Sequence, residues 1–157
     1  MLIVADSSAL VALAVCDGLT WLDARFEQVS VPRAVFQECT IEGKPKAAEL
    51  QVYLHDKVIE INQDMTLITP AGLGIGEVEA MTLYRQLRAD ALLIDDRRAR
   101  KVAHLNQLKT IGSLSLVLWA KQHNHISSIR PALAAIQNSG IFLSATVIQE
   151  VLALAGE

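Results

Sequence analysis

The sequence predicts an α/β protein, a three-layer α/β/α sandwich around a central parallel sheet. Three observations predict it. Short apolar runs alternate with longer helical patterns along most of the 157 residues, the signature of βαβ units. The runs LIVA and ALLI are continuously apolar rather than alternating, as expected of strands covered by helices on both faces. Glycines and a proline fall where one pattern gives way to the next.

The first strand, residues 2–5, stops at Asp6 and leads into a helical run over 7–15. VSV at 29–31 feeds a helix over 32–39, with Pro32 in its first turn, where a missing N–H leaves no bond unmade. TIEGKPKAAEL, 40–50, is the most polar stretch and reads as a connection or a helical arm. VIEI at 58–61 is the third strand, and GLGIG then opens a helix over 76–88. ALLI at 91–94 precedes a helix over 96–106, and KTI at 109–111 precedes one over 113–123. Beyond residue 126, PALAAIQ and SATVIQEVLALA predict two more helices, the second capped by Ser144. Their apolar residues exceed what one outer helix face needs, so they are expected to cover the core or a dimer partner. Gly18, Gly112 and Gly140 stand after or between elements.

Length predicts one domain, residues 1–157, large enough to fold without disulfides or metal staples. Hydrophobic residues make up 52% and charged residues 20%, which excludes a disordered chain; 4% aromatics leave the core to Leu, Ile, Val and Ala. A net charge of -3 excludes unselective coating of nucleic acid, so any such contact needs a local basic patch. Cys16 and Cys39 lack metal-site spacing and sit in apolar patterns, as buried thiols in a reducing cytoplasm do. The N-terminal run has no basic region before it and is broken by Asp6, and no stretch reaches the roughly 18 apolar residues of a membrane span. A soluble, cytoplasmic protein with no membrane partner is expected.

Function in a parallel α/β sheet gathers beyond the carboxyl ends of the strands. Asp6 and the pair Asp95-Asp96 end apolar strands there, Glu38 lies in the helix after VSV, and Glu77 begins the helix after GLGIG. A strand-end aspartate can simply cap the next helix. Capping needs one aspartate, and ALLIDD supplies two, whose mutual repulsion calls for a cation, a proton or arginines. Helical spacing sets Glu77 with Ala80, Met81 and Tyr84 on an inward face, and Glu79 with Thr82 and Gln86 on a solvated one. Glu38 shares an inward side with Ala34 and Val35, with Glu42 its nearest substitute.

Carboxylates from several elements, without cysteine or histidine beside them, suit a hard cation such as Mg²⁺ or Mn²⁺. Such an ion lowers the pKa of a bound water and stabilises charge on a phosphodiester oxygen. Of 14 Lys and Arg residues, seven lie between 85 and 109: Arg85, Arg88, Arg97, Arg98, Arg100, Lys101 and Lys109. They form either a solvated helix face or a phosphate-binding wall beside the acidic pair. Ser7 and Ser8 are placed to cap or orient Asp6 or its water ligands; neither has the flanking glycines of a nucleophile elbow. GLGIGE is neither a P-loop nor a dinucleotide fingerprint, and His123-Asn124-His125 reads as a surface turn. A phosphoacceptor receiver domain would carry its acidic pair after the first strand, whereas this pair follows ALLI.

VADSSALVAL, VSVPRAVFQE, GIGEVEAMTL, LLIDDRRARKVA, TIGSLSLVLWAK and SATVIQEVLALAGE, covering nearly the whole chain, resemble a PIN-domain protein of the DUF3368 group, small prokaryotic domains related to VapC toxins. IGE followed eighteen residues later by IDDRRAR is the specific part. The resemblance implies a Rossmann-like three-layer fold and Mg²⁺- or Mn²⁺-dependent endoribonuclease activity. Its catalytic quartet falls on Asp6, Glu38, Glu77 and Asp95; metal ligation is expected of Asp6, Glu77, Asp95 and Asp96, and RNA contact of Ser7, Arg97, Arg98 and Arg100. A cognate antitoxin and a homodimer are the partners implied. Glu77 in place of an aspartate, the doubled Asp95-Asp96 and Ser115 where glycine is expected depart from the toxin pattern. A catalytically weak PIN-like module binding RNA or protein is the competing expectation.

Overall fold

The computed structural model describes residues 1–62, 67–68 and 72–157. Among them, strands β1 (Leu2–Ala5), β2 (Gln28–Pro32), β3 (Val58–Ile59), β4 (Ala91–Leu93) and β5 (Thr110–Ile111) form one sheet in the order β3-β2-β1-β4-β5. Every pairing is parallel, with Ile3 opposite Val29 on one side and Ala91 on the other. Helices α1 (Ser7–Val15), α2 (Leu19–Arg25), α3 (Arg33–Cys39), α4 (Ala47–Leu54), α5 (Ile75–Leu87), α6 (Arg97–Leu105), α7 (Ser113–Gln122), α8 (Arg130–Asn138) and α9 (Ala145–Ala155) fill the connections and the C-terminal region. Ile3, Val4, Ala5, Leu92, Leu93 and Ile94 are all fully buried, so both faces of the central strands are covered.

The strand order creates the place where a site forms. From β1 the chain builds outward to β2 and β3, then α5 carries it back past β1 to β4 and β5. The two runs lie on opposite sides of β1 in the sheet. Their first turns separate at the carboxyl ends of β1 and β4, leaving a crevice there. Asp6 and Asp95 stand on either side of it.

Several sequence expectations change in detail. Helix α2 is additional: LTWLDAR is too short to show a period, and Leu19, Trp21 and Leu22 bury it. The polar stretch at 40–50 ends inside a docked helix, because Leu50 and Leu54, one turn apart, are fully buried and hold α4 on α1 and α3. Each buried leucine is worth about 1.5–3 kcal/mol, which outweighs the polarity of the residues around it. Pro32 closes β2 and stands just before α3 rather than in its first turn. At the far end Glu157, though polar, is drawn in: its carboxylate accepts from Lys121 Nζ at 2.5 Å, Ser128 Oγ at 2.5 Å and the Ile129 N–H at 2.8 Å. The Lys121 bond leads these in holding its pKa down to about 2. Both cysteines are free thiols, and burial pushes Cys39 up to about 12 and Cys16 to about 11. Among the described residues no single helix is long and apolar enough to cross a membrane.

Candidate active site

Asp6 leaves β1 in an extended conformation and caps α1, and its own N–H joins the sheet by donating to Leu93 O at 2.9 Å. Its Oδ2 accepts from the Ser8 N–H at 3.2 Å and the Ser8 hydroxyl at 2.7 Å. That hydroxyl oxygen in turn accepts the Asp95 N–H at 3.3 Å, so one serine ties the ends of β1 and β4 together. Capping is thus real, but it employs a single carboxylate oxygen. Oδ1 is buried with no hydrogen-bond partner among the described residues, in a residue only 1% exposed. Burial raises the Asp6 pKa; the Ser8 and Ser7 bonds pull it down, and the charge of Glu38 pushes it up again.

The adjacent aspartates serve different helices. Asp95 turns to the start of α7, accepting the Ser113 N–H at Oδ1 (2.8 Å) and the Ser113 hydroxyl at Oδ2 (2.6 Å). Asp96 is exposed and caps α6, accepting the Ala99 N–H at 2.7 Å. Repulsion within the pair is relieved because each carboxylate is spent on a positive helix end. Gly112, which precedes α7, permits the approach: a Cβ there would lie 3.1 Å from Asp95 Oδ1 and 3.3 Å from Arg100 Nη1.

Glu38, near the end of α3, accepts the Ser7 hydroxyl at 2.8 Å through Oε2. It is half-buried, whereas Glu42 is exposed on the following loop. Glu77 is half-buried in the first turn of α5, with Oε2 turned back to the Gly74 N–H at 2.8 Å. Burial raises its pKa, the Gly74 bond opposes this, and the charges of Asp6, Asp96 and Glu38 add to the rise. These four acidic groups therefore share one electrostatic neighbourhood. Gly76 seats α5 against it: a Cβ at that position would lie 2.7 Å from the Glu38 carboxylate oxygens.

The expectation of a solvated Glu79 is corrected. Its Oε2 accepts the Ala34 N–H at 3.0 Å and so caps α3, which Pro32 cannot cap with a side chain. The face of α5 that looks polar in sequence is packed: Thr82 is buried, and Gln86 bonds the backbone of Glu60 and Asn62. Glu77 and Glu79 thus leave the same turn toward two different tasks.

Glu38 and Asp95 line one cavity of about 330 Å³ together with Ser7, Ser8, Val11, Lys44, Pro45 and Ile141. The arginines of α6 do not line it. Arg97 and Arg98 are exposed, Arg98 lying over Gly72, and Arg100 is half-buried beside Gly112. Arg85, grouped by sequence with the basic cluster, instead donates to the Asn106 carbonyl at 3.1 Å and holds a structural corner.

The donor set fits a hard divalent ion: it is all oxygen, drawn from the ends of β1 and β4 and from α3 and α5, and it includes a buried carboxylate oxygen that no donor among the described residues satisfies. Among the described residues no three His, Cys, Asp or Glu side chains close into a ligand cluster. The expected ligands Asp6, Glu77, Asp95 and Asp96 share a rim without converging, because each is drawn to a donor of the chain: Ser8, Gly74, Ser113 and Ala99. Ser113 and Lys44 are site residues that sequence reasoning missed. A small polar residue directly after a strand-end glycine, TIGS, was the available signal for Ser113; nothing in sequence marked Lys44.

No curated protein matches the chain significantly. The sequence profile of the DUF3368 family, described as a PIN domain, matches residues 2–157. PIN domains are generally metal-dependent nucleases, and a carboxylate rim at the switch point of a parallel sheet is a fitting place for such chemistry. With all but its first residue inside that match, the chain belongs to the DUF3368 family of PIN domains.

Proposed function

We propose that this PIN domain is a Mg²⁺- or Mn²⁺-dependent endoribonuclease. The observation that carries the reading is Asp6: a carboxylate 1% exposed, with one oxygen unpartnered among the described residues, in the field of Glu38 and Glu77 and tied through Ser8 to Asp95. A buried charge left unsatisfied costs several kcal/mol, and a site keeps such a group where a cation uses it.

Asp6, Glu77 and Asp95 would hold the ion, with Asp96 at the outer edge. When bound, it supplies charge neutralisation at the phosphodiester and acidifies water. Ser7 fixes Oε2 of Glu38, leaving Oε1 to orient the attacking water and take its proton. In-line attack by that water oxygen on phosphorus breaks one P–O ester bond, and the departing oxygen takes a proton from solvent. Ser8 and Ser113 hold Asp6 and Asp95 in place, and Arg97, Arg98 and Arg100 on α6 supply positive charge to the phosphates on either side.

The same reading makes the protein the toxin of a VapBC-type pair, with a cytoplasmic RNA target, an antitoxin that covers the rim, and a homodimer using the apolar C-terminal helices. One observation favours a second reading, a catalytically weak module that only binds RNA or protein: the absence, among the described residues, of a closed ligand cluster. Structured and single-stranded RNAs incubated with Mn²⁺, with Mg²⁺ and with chelator separate the two. Cleavage that needs the ion and is lost in Asp6→Asn and Glu77→Gln supports the nuclease. Cleavage that is absent, or equal in wild type and both variants, leaves the binding module.

A further inference from the structure

The carboxylates at the rim are each held by a donor of the chain, but the ties are unequal. Asp95 spends both oxygens on Ser113, one on its N–H and one on its hydroxyl. Asp6 is fixed through Oδ2 to Ser8 and keeps Oδ1 unpartnered among the described residues, so it meets a cation without moving. Glu77 accepts only the Gly74 N–H among the described residues, at 2.8 Å through Oε2. Its side chain is also longer than an aspartate's by one methylene, so it has both the weakest tie and the greatest reach.

The Gly74 N–H turns Glu77 back toward the start of α5. Glycine has no side chain to bond in return, so the link runs one way. Glu77 lies within the field of Asp6, Asp96 and Glu38, yet no three of these carboxylates converge among the described residues. Gly74 is exposed, so its N–H passes to water when Glu77 leaves it, and no buried donor is stranded.

We propose that the Gly74 N–H is a positioning group that sets metal affinity: it holds Glu77 in a parked position, and a divalent ion binds at the rim by drawing Glu77 off this donor. Asp6 and Asp95 stay on Ser8 and Ser113, and Glu77 is the ligand that moves. The ion therefore competes with a hydrogen bond to a charged acceptor, which weakens its binding about tenfold. This inference rests on the reading of Glu77 as a ligand of the ion.

Two substitutions at one position isolate the donor. Gly74 has a φ of -69°, which suits a proline ring, so Gly74→Pro removes the N–H and leaves the Glu77 side chain in place. Gly74→Ala keeps the N–H, and its Cβ meets nothing nearer than Glu77 Oε2 at 3.6 Å. Calorimetric titration with Mg²⁺ should show Gly74→Pro binding about tenfold more tightly than the wild type and Gly74→Ala binding with the wild-type affinity. A substitution that merely disturbed the rim would weaken binding, so a gain reports the lost donor. The wild type gives a second reading that needs no variant. Solvent exchange of the Gly74 amide proton, followed by NMR, should quicken as Mg²⁺ saturates the protein, while exchange at the Ser113 amide stays constant. Equal or weaker binding in Gly74→Pro shown to be folded by its melting curve, or Gly74 exchange that the ion leaves unchanged, overturns the parked position; if Gly74→Pro does not fold, the exchange measurement decides. A wild type that binds no Mg²⁺, or Glu77→Gln binding it as tightly as the wild type, overturns the ligand reading of Glu77 and this inference with it. Binding lost in Glu77→Gln but not tightened in Gly74→Pro overturns this inference alone.

Discussion

Replacing Asp6 with Asn should stabilise the protein while removing its response to a divalent ion. The carboxylate is 1% exposed and only Oδ2 has partners, the N–H and hydroxyl of Ser8. An unpaired buried ion costs several kcal/mol after relaxation. Two hydrogen bonds to a charged acceptor return about 1.5–3 kcal/mol each, against about 0.5–1.5 for a neutral amide oxygen in the same place. The amide also brings two N–H donors to the place of Oδ1, and any left unsatisfied costs about 1–3 kcal/mol. Relief of the buried charge sets the sign in favour of Asn, by about 1 kcal/mol, or about 2–4 °C in Tm for a domain of this size. The sign with pH follows from the direction of the shift. Because the folded Asp6 pKa is raised above its ordinary 3.8, the wild type is penalised increasingly as pH rises from that value through the folded one. The advantage of Asn is therefore full at neutral pH and fades toward pH 4. Melting curves in chelator at both pH values read it directly. Mn²⁺ at about a hundred times its dissociation constant should then add about 2.7 kcal/mol to the wild type and nothing to Asp6→Asn, inverting their order. A variant that melts below the wild type in chelator at neutral pH, or a gap unchanged by acid, would refute the argument.

Gly76→Ala should raise helix stability by up to about 1 kcal/mol yet lower RNA cleavage at least tenfold, because its methyl group displaces the Glu38 carboxylate; Tm and kcat measured on the same preparation would separate the two effects. Ser113→Ala removes the 2.6 Å bond to Asp95 Oδ2 and should cost about 1–2 kcal/mol, with kcat reduced and KM nearly constant; an unchanged kcat would mean that the backbone bond alone orients Asp95. Glu157→Gln should destabilise the protein above about pH 4.5 and progressively less as pH falls toward 2, since the Glu157 pKa is depressed to about 2 and the stabilisation it brings is lost on protonation; urea melts of both proteins between pH 2 and 6 check the convergence.

The strands and the acidic rim were legible in sequence because both depend on local pattern. LIVA and ALLI announce buried strands by composition, and Asp6 and Asp95 announce the rim by where those strands stop. What escaped depends on which element lies beside which. Ser113 reads as an ordinary helix-start serine until β4 and β5 are seen to be neighbours, which brings it to Asp95. Glu79 reads as solvated because a helical wheel knows only its own helix, and here the polar side of α5 meets the open N-terminus of α3. Arg85 was counted by charge, but its fork is used on Asn106. The LTWLDAR helix was missed because seven residues span barely two turns, too few for a period to declare itself.

The clasp between Glu79 and Ala34 bears on how the site withstands thermal motion. Helix α3 carries Glu38 and α5 carries Glu77, and the clasp, with Gly76 seated against Glu38, makes the two helices a single yoke. The aspartates at the ends of β1 and β4 are coupled in the same way through Ser8. The four acidic groups are thus tied in two pairs, one through neighbouring helices and one through neighbouring strand ends.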